Sequence, residues 1–281
     1  MKSTDYLKKA VGIYDSIGLP NIITSVMIEP TNRCQLKCVT CYREGRPVGD
    51  MKWETFERTL KQIQNIVTVR AINLNFAGEP LLYEHLNIMV KRVNELKNKL
   101  GMPYKLGFST NGLLLDEDTA RYYLGRLDWL NVSLDGVGIE HERHRTNSIW
   151  EITVCNLNRL LALPRGKTKI SVNMTVSDQT DDEILKFLSQ CEWEGVADSV
   201  LINPFHNENL EIINWAGRKP NSNYCWAFKH DLAVLWNGDV TTCCGDLQGK
   251  NVFGNIWDLE LKKMKKRVGP LCEKCEVWQL K

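Results

Sequence analysis

Cys34, Cys38 and Cys41 stand in the run Glu-Pro-Thr-Asn-Arg-Cys-Gln-Leu-Lys-Cys-Val-Thr-Cys, spaced Cys-x-x-x-Cys-x-x-Cys. Three thiolates hold three irons of a cubane cluster and leave the fourth iron open to another ligand. A structural metal site instead closes its coordination with a fourth protein donor. The next cysteine here is Cys155, and no His lies nearby. An open iron implies that a small molecule binds there, which points to chemistry. The triplet alone leaves a zinc knuckle or a set of buried thiols as the alternative.

The elements that must position this loop read as alternating strands and helices. A β-branched run over 22–28 predicts a strand that feeds directly into the cysteines. Further strands are expected at 71–76, 106–110, 130–134, 169–176 and 199–203. Helices are expected at 5–17, 53–67, 86–100, 116–124, 152–163 and 181–191. Such alternation implies a parallel sheet with right-handed crossovers. The fold class expected is α/β, a partial (β/α)6 TIM-like barrel with a small C-terminal α+β module. Sites in such folds lie at the C-terminal ends of the strands, where the cysteine loop sits. The expected division is an N-terminal helix (1–21), the barrel (22–204), a linker or lid (205–223) rich in Asn with Gly217 and Pro220, and the module (224–281). In the module, Leu232–Trp236 and Val240–Thr242 flank the turn Asn237-Gly238-Asp239, and Leu259–Val268 reads as a basic helix.

Composition sets outer limits. The chain has 281 residues, 43% of them hydrophobic, a net charge of +2 and ten cysteines. The interspersed charge gives no nucleic-acid or basic membrane footprint. No apolar run is long enough to span a bilayer, and the first residues lack the apolar core of a signal peptide. A cytoplasmic location is therefore expected, where closely spaced cysteines argue for metal rather than disulfides.

The cysteine spacing resembles the radical SAM superfamily, in which the open iron is chelated by S-adenosylmethionine. Where that family carries an aromatic residue just before the last cysteine, this chain has Thr40, with Tyr42 on the other side. The second strand ends in Gly78-Glu79-Pro80, similar to the family motif that binds the amino group of the cofactor. The third ends in Ser109-Thr110-Asn111-Gly112, which by resemblance contacts the ribose and methionyl parts. The fourth ends in Ser133-Leu134-Asp135-Gly136, again a match. Arg145 follows, at about the place where relatives pair an Arg with the cofactor carboxylate; Arg143 is its rival.

A second group of cysteines lies in the module: Cys225, Cys243, Cys272 and Cys275, with Gly238 before Cys243. Four thiolates so arranged fit zinc or a fully ligated iron–sulfur cluster. The layout resembles the auxiliary-cluster module called twitch, a truncated SPASM domain. The resemblance implies two [4Fe-4S] clusters, one binding S-adenosylmethionine and one auxiliary. Cys244, beside a ligand, is left over. It is a candidate hydrogen-atom donor, as in radical epimerases of this broad class; the alternatives are a small buried hydrophobe or a substitute ligand. Cys155 and Cys191 fall within helical patterns and read as core thiols. Asp246, His206, Glu208 and His230 are candidate bases or substrate contacts, with Asp246 taken as catalytic. Trp215, Trp226 and Trp236 read as packing residues.

The resemblance implies cleavage of S-adenosylmethionine to a 5′-deoxyadenosyl radical that removes a hydrogen atom from substrate. Only about 20 residues precede the first strand, too few for a peptide-recognition domain. A small, carbohydrate-like polyol is therefore expected as substrate, epimerised with Cys244 as donor, and flavodoxin or ferredoxin as electron donor. Oxidation of a secondary alcohol to a ketone, peptide modification, and a non-catalytic iron–sulfur protein are the other readings.

Overall fold

The computed structural model describes residues 23–176, 197–204, 230–264 and 270–274. Six parallel strands lie side by side in chain order. They are β1 (Ser25–Ile28), β3 (Ala71–Asn73), β4 (Lys105–Thr110), β5 (Trp129–Ser133), β7 (Lys169–Val176) and β8 (Ser199–Pro204). Two short strands, β2 (Lys37–Cys38) and β6 (Arg145–Thr146), pair antiparallel above them.

Strand periodicity decides the two faces of the sheet. Val26, Ile28, Ile72, Leu106, Phe108, Leu130, Val132, Ile170 and Val172 enter the buried core. Against them pack α1 (Trp53–Ile63), through Phe56, Thr59, Leu60 and Ile63, and α2 (Leu86–Leu100), through Leu86, Met89, Val90, Val93 and Leu96. Helix α3 (Glu117–Tyr123) begins where the Asp116 carboxylate accepts from the Thr119 amide at 2.9 Å. Helix α4 (Ile139–His144) follows β5, and α5 (Trp150–Ala162) buries Thr153, Asn156, Leu157, Leu160 and Leu161. The opposite strand face carries a row of hydrogen-bonded polar groups. Asn73 Nδ2 donates to Ser25 Oγ (3.0 Å), Asn131 Nδ2 to Ser109 Oγ (3.4 Å), and the Ser171 and Ser199 hydroxyls meet at 2.7 Å. Closed barrels fill this interior with Val, Ile and Leu; here hydrogen-bonding Ser and Asn side chains share it with Met27 and Trp129.

Beyond the barrel, β9 (Asp231–Val234) joins the same sheet, parallel to β1, with Val26 opposite Leu232 and Ile28 opposite Val234. Gly238, at φ +90°, turns the chain into β10 (Asp239–Thr241), which runs antiparallel and pairs with β11 (Gly254–Asn255). The sheet order is β11-β10-β9-β1-β3-β4-β5-β7-β8. Helix α6 (Pro270–Lys274) carries Cys272.

Two expectations are corrected. Leu259–Val268 does not begin as an α-helix: a 3₁₀ turn covers Leu261–Lys263 and Met264 is extended. Gln62 of α1 takes up the backbone there, donating to the Ile256 and Leu259 carbonyls (2.9 and 2.8 Å) and accepting from the Leu261 amide (2.8 Å). Cys155 is exposed rather than in the core, because it lies off the buried stripe of α5. The expected helices at 5–17 and 181–191, the linker, Cys191, Cys225, Cys275, His206, Glu208, Trp215 and Trp226 lie outside the described residues. Among those described, no helix is long and apolar enough to cross a membrane.

Candidate active site

The cysteine loop is closed at its base. Asn32 Nδ2 donates to the Pro47 carbonyl and Asn32 Oδ1 accepts from the Gly49 amide, both at 2.8 Å. Thr31 Oγ1 donates to the Gly49 carbonyl at 3.2 Å. Within the loop, one Arg43 nitrogen reaches the Cys34 and Leu36 carbonyls at 3.3 and 2.9 Å. Cys38 is fixed by β2, opposite Arg145 of β6.

Gly78-Glu79-Pro80 meets this loop from the end of β3. A Cβ on Gly78 would lie 2.2 Å from the Thr31 carbonyl oxygen, so only glycine allows the approach. The Glu79 amide donates to the Arg33 carbonyl at 2.8 Å. The Glu79 carboxyl is 2% exposed. It accepts from Thr110 Oγ1 (2.7 Å), the Asn111 amide (2.8 Å) and the Leu81 amide (3.2 Å). Burial pushes its pKa up, against the pull of these bonds. Asn111 in turn accepts from Gln35 Nε2 at 3.2 Å and places its own amide nitrogen 3.9 Å from Cys34 Sγ.

These residues share one cavity of about 190 Å³. Its wall includes Cys34, Cys38 and Cys41 together with Gly78, Glu79, Ser109, Asn111, Ser133 and Arg145. Asp135 lies behind it and holds Arg145: Oδ2 is 2.8 Å from Arg145 Nε, and Oδ1 accepts from the Thr175 amide at 2.8 Å. The Arg145 contact is an ion pair by distance without an aligned hydrogen bond. Arg143 is 68% exposed and pairs with Glu140, so Arg145 is the arginine at the cavity. Behind Asp135, His141 Nδ1 accepts from the Asp135 amide (3.3 Å), and Nε2 meets Ser148 Oγ at 2.9 Å. Burial lowers the His141 pKa to about 4, with Arg145 adding to the effect, so the ring is neutral.

Three partly exposed thiols, one buried carboxyl and one guanidinium form a donor set that fits a cluster with a bound amino acid. Burial raises the Cys38 thiol to about 11, opposed by Arg145. All three thiols line the same cavity. Sequence reasoning missed several members of this site. Asn75 accepts from the Ser109 amide at 3.2 Å and, with Phe76, lines the cavity. The signal for Asn75 was its two-residue spacing from Asn73 on the polar face; Arg43 and Gln35 had none.

In the module, Cys243 is partly exposed, Cys244 exposed and Cys272 partly exposed. Asn251 Nδ2 donates toward Cys272 Sγ at 3.7 Å, and Asn251 Oδ1 accepts from the Leu271 amide at 3.2 Å. The buried Asp246 carboxylate accepts from Lys250 N (2.7 Å), Asn251 N (2.8 Å) and Thr241 Oγ1 (2.9 Å). His230 is buried, its carbonyl accepting from the Thr24 amide at 2.9 Å. Trp236 packs against the core. Tyr42 ties the two cysteine groups together, its hydroxyl donating to the Gly245 carbonyl at 3.0 Å.

Comparison with known proteins agrees with this geometry. The Radical SAM superfamily model matches residues 28–191, and the SPASM iron–sulfur cluster-binding domain model matches residues 225–276. A probable GTP 3′,8-cyclase of Methanococcus aeolicus is 26% identical over 62% of this chain, which spans 57% of the cyclase's length. The crystal structure of BtrN in complex with AdoMet and 2-DOIA aligns with TM-score 0.56 at 15% identity, over 87% of this chain and 82% of BtrN. Streptococcus suis SuiB bound to precursor peptide SuiA aligns with TM-score 0.65 at 15% identity, over 97% of this chain and 74% of SuiB. The two matched domains imply S-adenosylmethionine and two [4Fe-4S] clusters as cofactors. With a three-thiol cavity at the strand ends and the family model matched over residues 28–191, the chain belongs to the radical SAM superfamily.

Proposed function

We propose that this enzyme removes a hydrogen atom from a small polyol, such as a sugar, aminocyclitol or aminoglycoside-like molecule, and epimerises the carbon. The carrying observation is the single cavity that gathers Cys34, Cys38 and Cys41 with Glu79, Ser109, Asn111, Ser133 and Arg145. When bound, the open cluster and S-adenosylmethionine supply a 5′-deoxyadenosyl radical. Cys34, Cys38 and Cys41 hold the cluster. Glu79 would take the cofactor's ammonium and Arg145 its carboxylate, with Asp135 fixing the guanidinium. Ser109, Asn111 and Ser133 contact the rest of the cofactor. Cys225, Cys243, Cys272 and Cys275 hold the auxiliary cluster.

The Ser and Asn side chains on this strand face favour a substrate rich in hydroxyls. The exposure of Cys244 favours a reactive role over that of a buried hydrophobe. The radical supplied there would take the hydrogen atom from the substrate carbon. Cys244 S–H then gives its hydrogen to the opposite face of the carbon, leaving a thiyl radical. An external one-electron reductant, such as flavodoxin or ferredoxin, and a proton restore the thiol. Asp246 is better cast as the residue that folds the loop after Cys244, since both its oxygens accept bonds there.

The test is turnover of a polyol panel in D₂O by the reconstituted enzyme and by Cys244→Ala. Deuterium at an inverted carbon, lost in the variant, supports the reading; inversion by the variant, or no deuterium at carbon, overturns it. Dehydrogenation is the second reading, favoured by the SPASM match, because an auxiliary cluster is a ready electron acceptor. A ketone product would establish it. Turnover of a peptide or a nucleoside triphosphate, with polyols inert, would replace the substrate class.

A further inference from the structure

The stretch after Cys41 lies along the stretch after Cys244. Tyr42 Oη donates to the Gly245 carbonyl (3.0 Å), Arg46 Nε to the Leu247 carbonyl (2.7 Å), and Gln248 Nε2 to the Glu44 carbonyl (3.0 Å). Gly49 faces the Trp236 ring so closely that an added Cβ would lie 2.5 Å from it.

At the centre is a buried ion pair that no part of the proposed reaction uses. Glu29, fully buried at the end of β1, takes both Arg46 terminal nitrogens in a fork, at 2.7 and 3.0 Å. Its oxygens also accept from the Trp236 amide (3.1 Å) and the Ala77 amide (3.3 Å). One carboxylate is thus bonded by the cysteine loop, by the module and by the residue before Gly78. Arg46 further lies over the Phe76 ring, 6.0 Å from its centre, and Phe76 lines the cofactor cavity.

We propose that Glu29, Arg46 and Tyr42 form a latch coupling the two cysteine groups, so that filling the C-terminal site tightens cofactor binding at the first. Breaking a buried ion pair on one side is costly, because it strands the other charge. The latch therefore moves as a unit, and any shift of the 245–248 stretch reaches Ala77 and Phe76 through two side chains. Coupling of this kind is reciprocal and typically amounts to 5-fold or more in affinity. These are positioning residues; none touches the reacting atoms.

The experiment is a double-mutant cycle on reconstituted protein. S-adenosylmethionine affinity is read from its perturbation of the reduced first cluster's EPR spectrum, and iron per chain is measured alongside. In the otherwise native chain, Cys272→Ala is expected to weaken S-adenosylmethionine at least 5-fold. In Tyr42→Phe or Arg46→Lys backgrounds, Cys272→Ala is expected to add less than 2-fold. Arg46→Lys keeps the charge and loses the fork, so it reads the latch even if Arg46→Ala does not fold. Equal weakening by Cys272→Ala in latched and unlatched backgrounds, or no weakening in the native one, would overturn the proposal.

Discussion

Gly78 and Thr31 touch backbone to backbone, with space for a hydrogen and none for a methyl group: a Cβ would stand 2.2 Å from the Thr31 carbonyl oxygen. Through this contact the end of β3 and the base of the cysteine loop share one position. Gly78→Ala is therefore expected to cost about 2 kcal/mol or more by overpacking and to lower the iron retained at the first site. Denaturant unfolding of the unloaded chain and iron per chain check both; a variant as stable and as iron-rich as the parent would show that the loop yields freely.

Glu79 has a structural duty beside the cofactor role proposed for it. Glu79→Ala strands the Thr110 hydroxyl and the Leu81 and Asn111 amides. Buried donors so orphaned cost about 1–3 kcal/mol each. Glu79→Gln, which keeps the shape and turns one donor towards another, is expected to lose less. Unfolding of the two unloaded variants should rank them in that order, and both should bind S-adenosylmethionine more weakly.

Acid is expected to weaken the fold through His141. The ring is buried among Asp135, Arg145, His144, Ser148 and the Trp150 indole, whose centre is 5.3 Å away. Its folded pKa of about 4 lies below the unfolded 6.5, so the unfolded chain binds the proton first. The contribution is complete above about pH 6.5 and is lost as pH falls towards 4, by up to about 3 kcal/mol. The stability of unloaded protein measured from pH 7.5 to 4.5 should fall, and His141→Asn should flatten that slope.

Cys155 gives the opposite kind of prediction. It stands exposed on α5, so Cys155→Ser should change stability by less than about 0.5 kcal/mol and leave iron content unchanged. A large loss in a thermal melt would place the thiol in a contact that its exposure denies.

Much of the barrel was legible because its signals are local. Strand β7 runs over Lys169–Val176, as its apolar alternation predicts, and α2 ends at Leu100 because Gly101 takes φ +61°. The cysteine spacing and the strand-end motifs named most of the cavity wall for the same reason. What escaped depends on distant pairs. Nothing near Glu29 or Arg46 announces Trp236 and Leu247, some 200 positions away, and β9 looks like half of a free hairpin until β1 is seen beside it. The helical periodicity at 259–268 does not show over Leu261–Met264, where Gln62 from α1 bonds the backbone instead. Cys155 shows the limit of composition: a thiol in a helical pattern says nothing of which side of the stripe it falls on.

The pairing of β1 with β9 means that the C-terminal part is not a detachable accessory. A chain cut before β9 would bare the edge of β1, whose Val26 and Ile28 are wholly buried. A raw hydrophobic edge of this kind recruits other strands and aggregates. Deleting the module is then a poor way to ask what the second cluster does, since it removes a wall of the barrel; single cysteine replacements leave that wall standing.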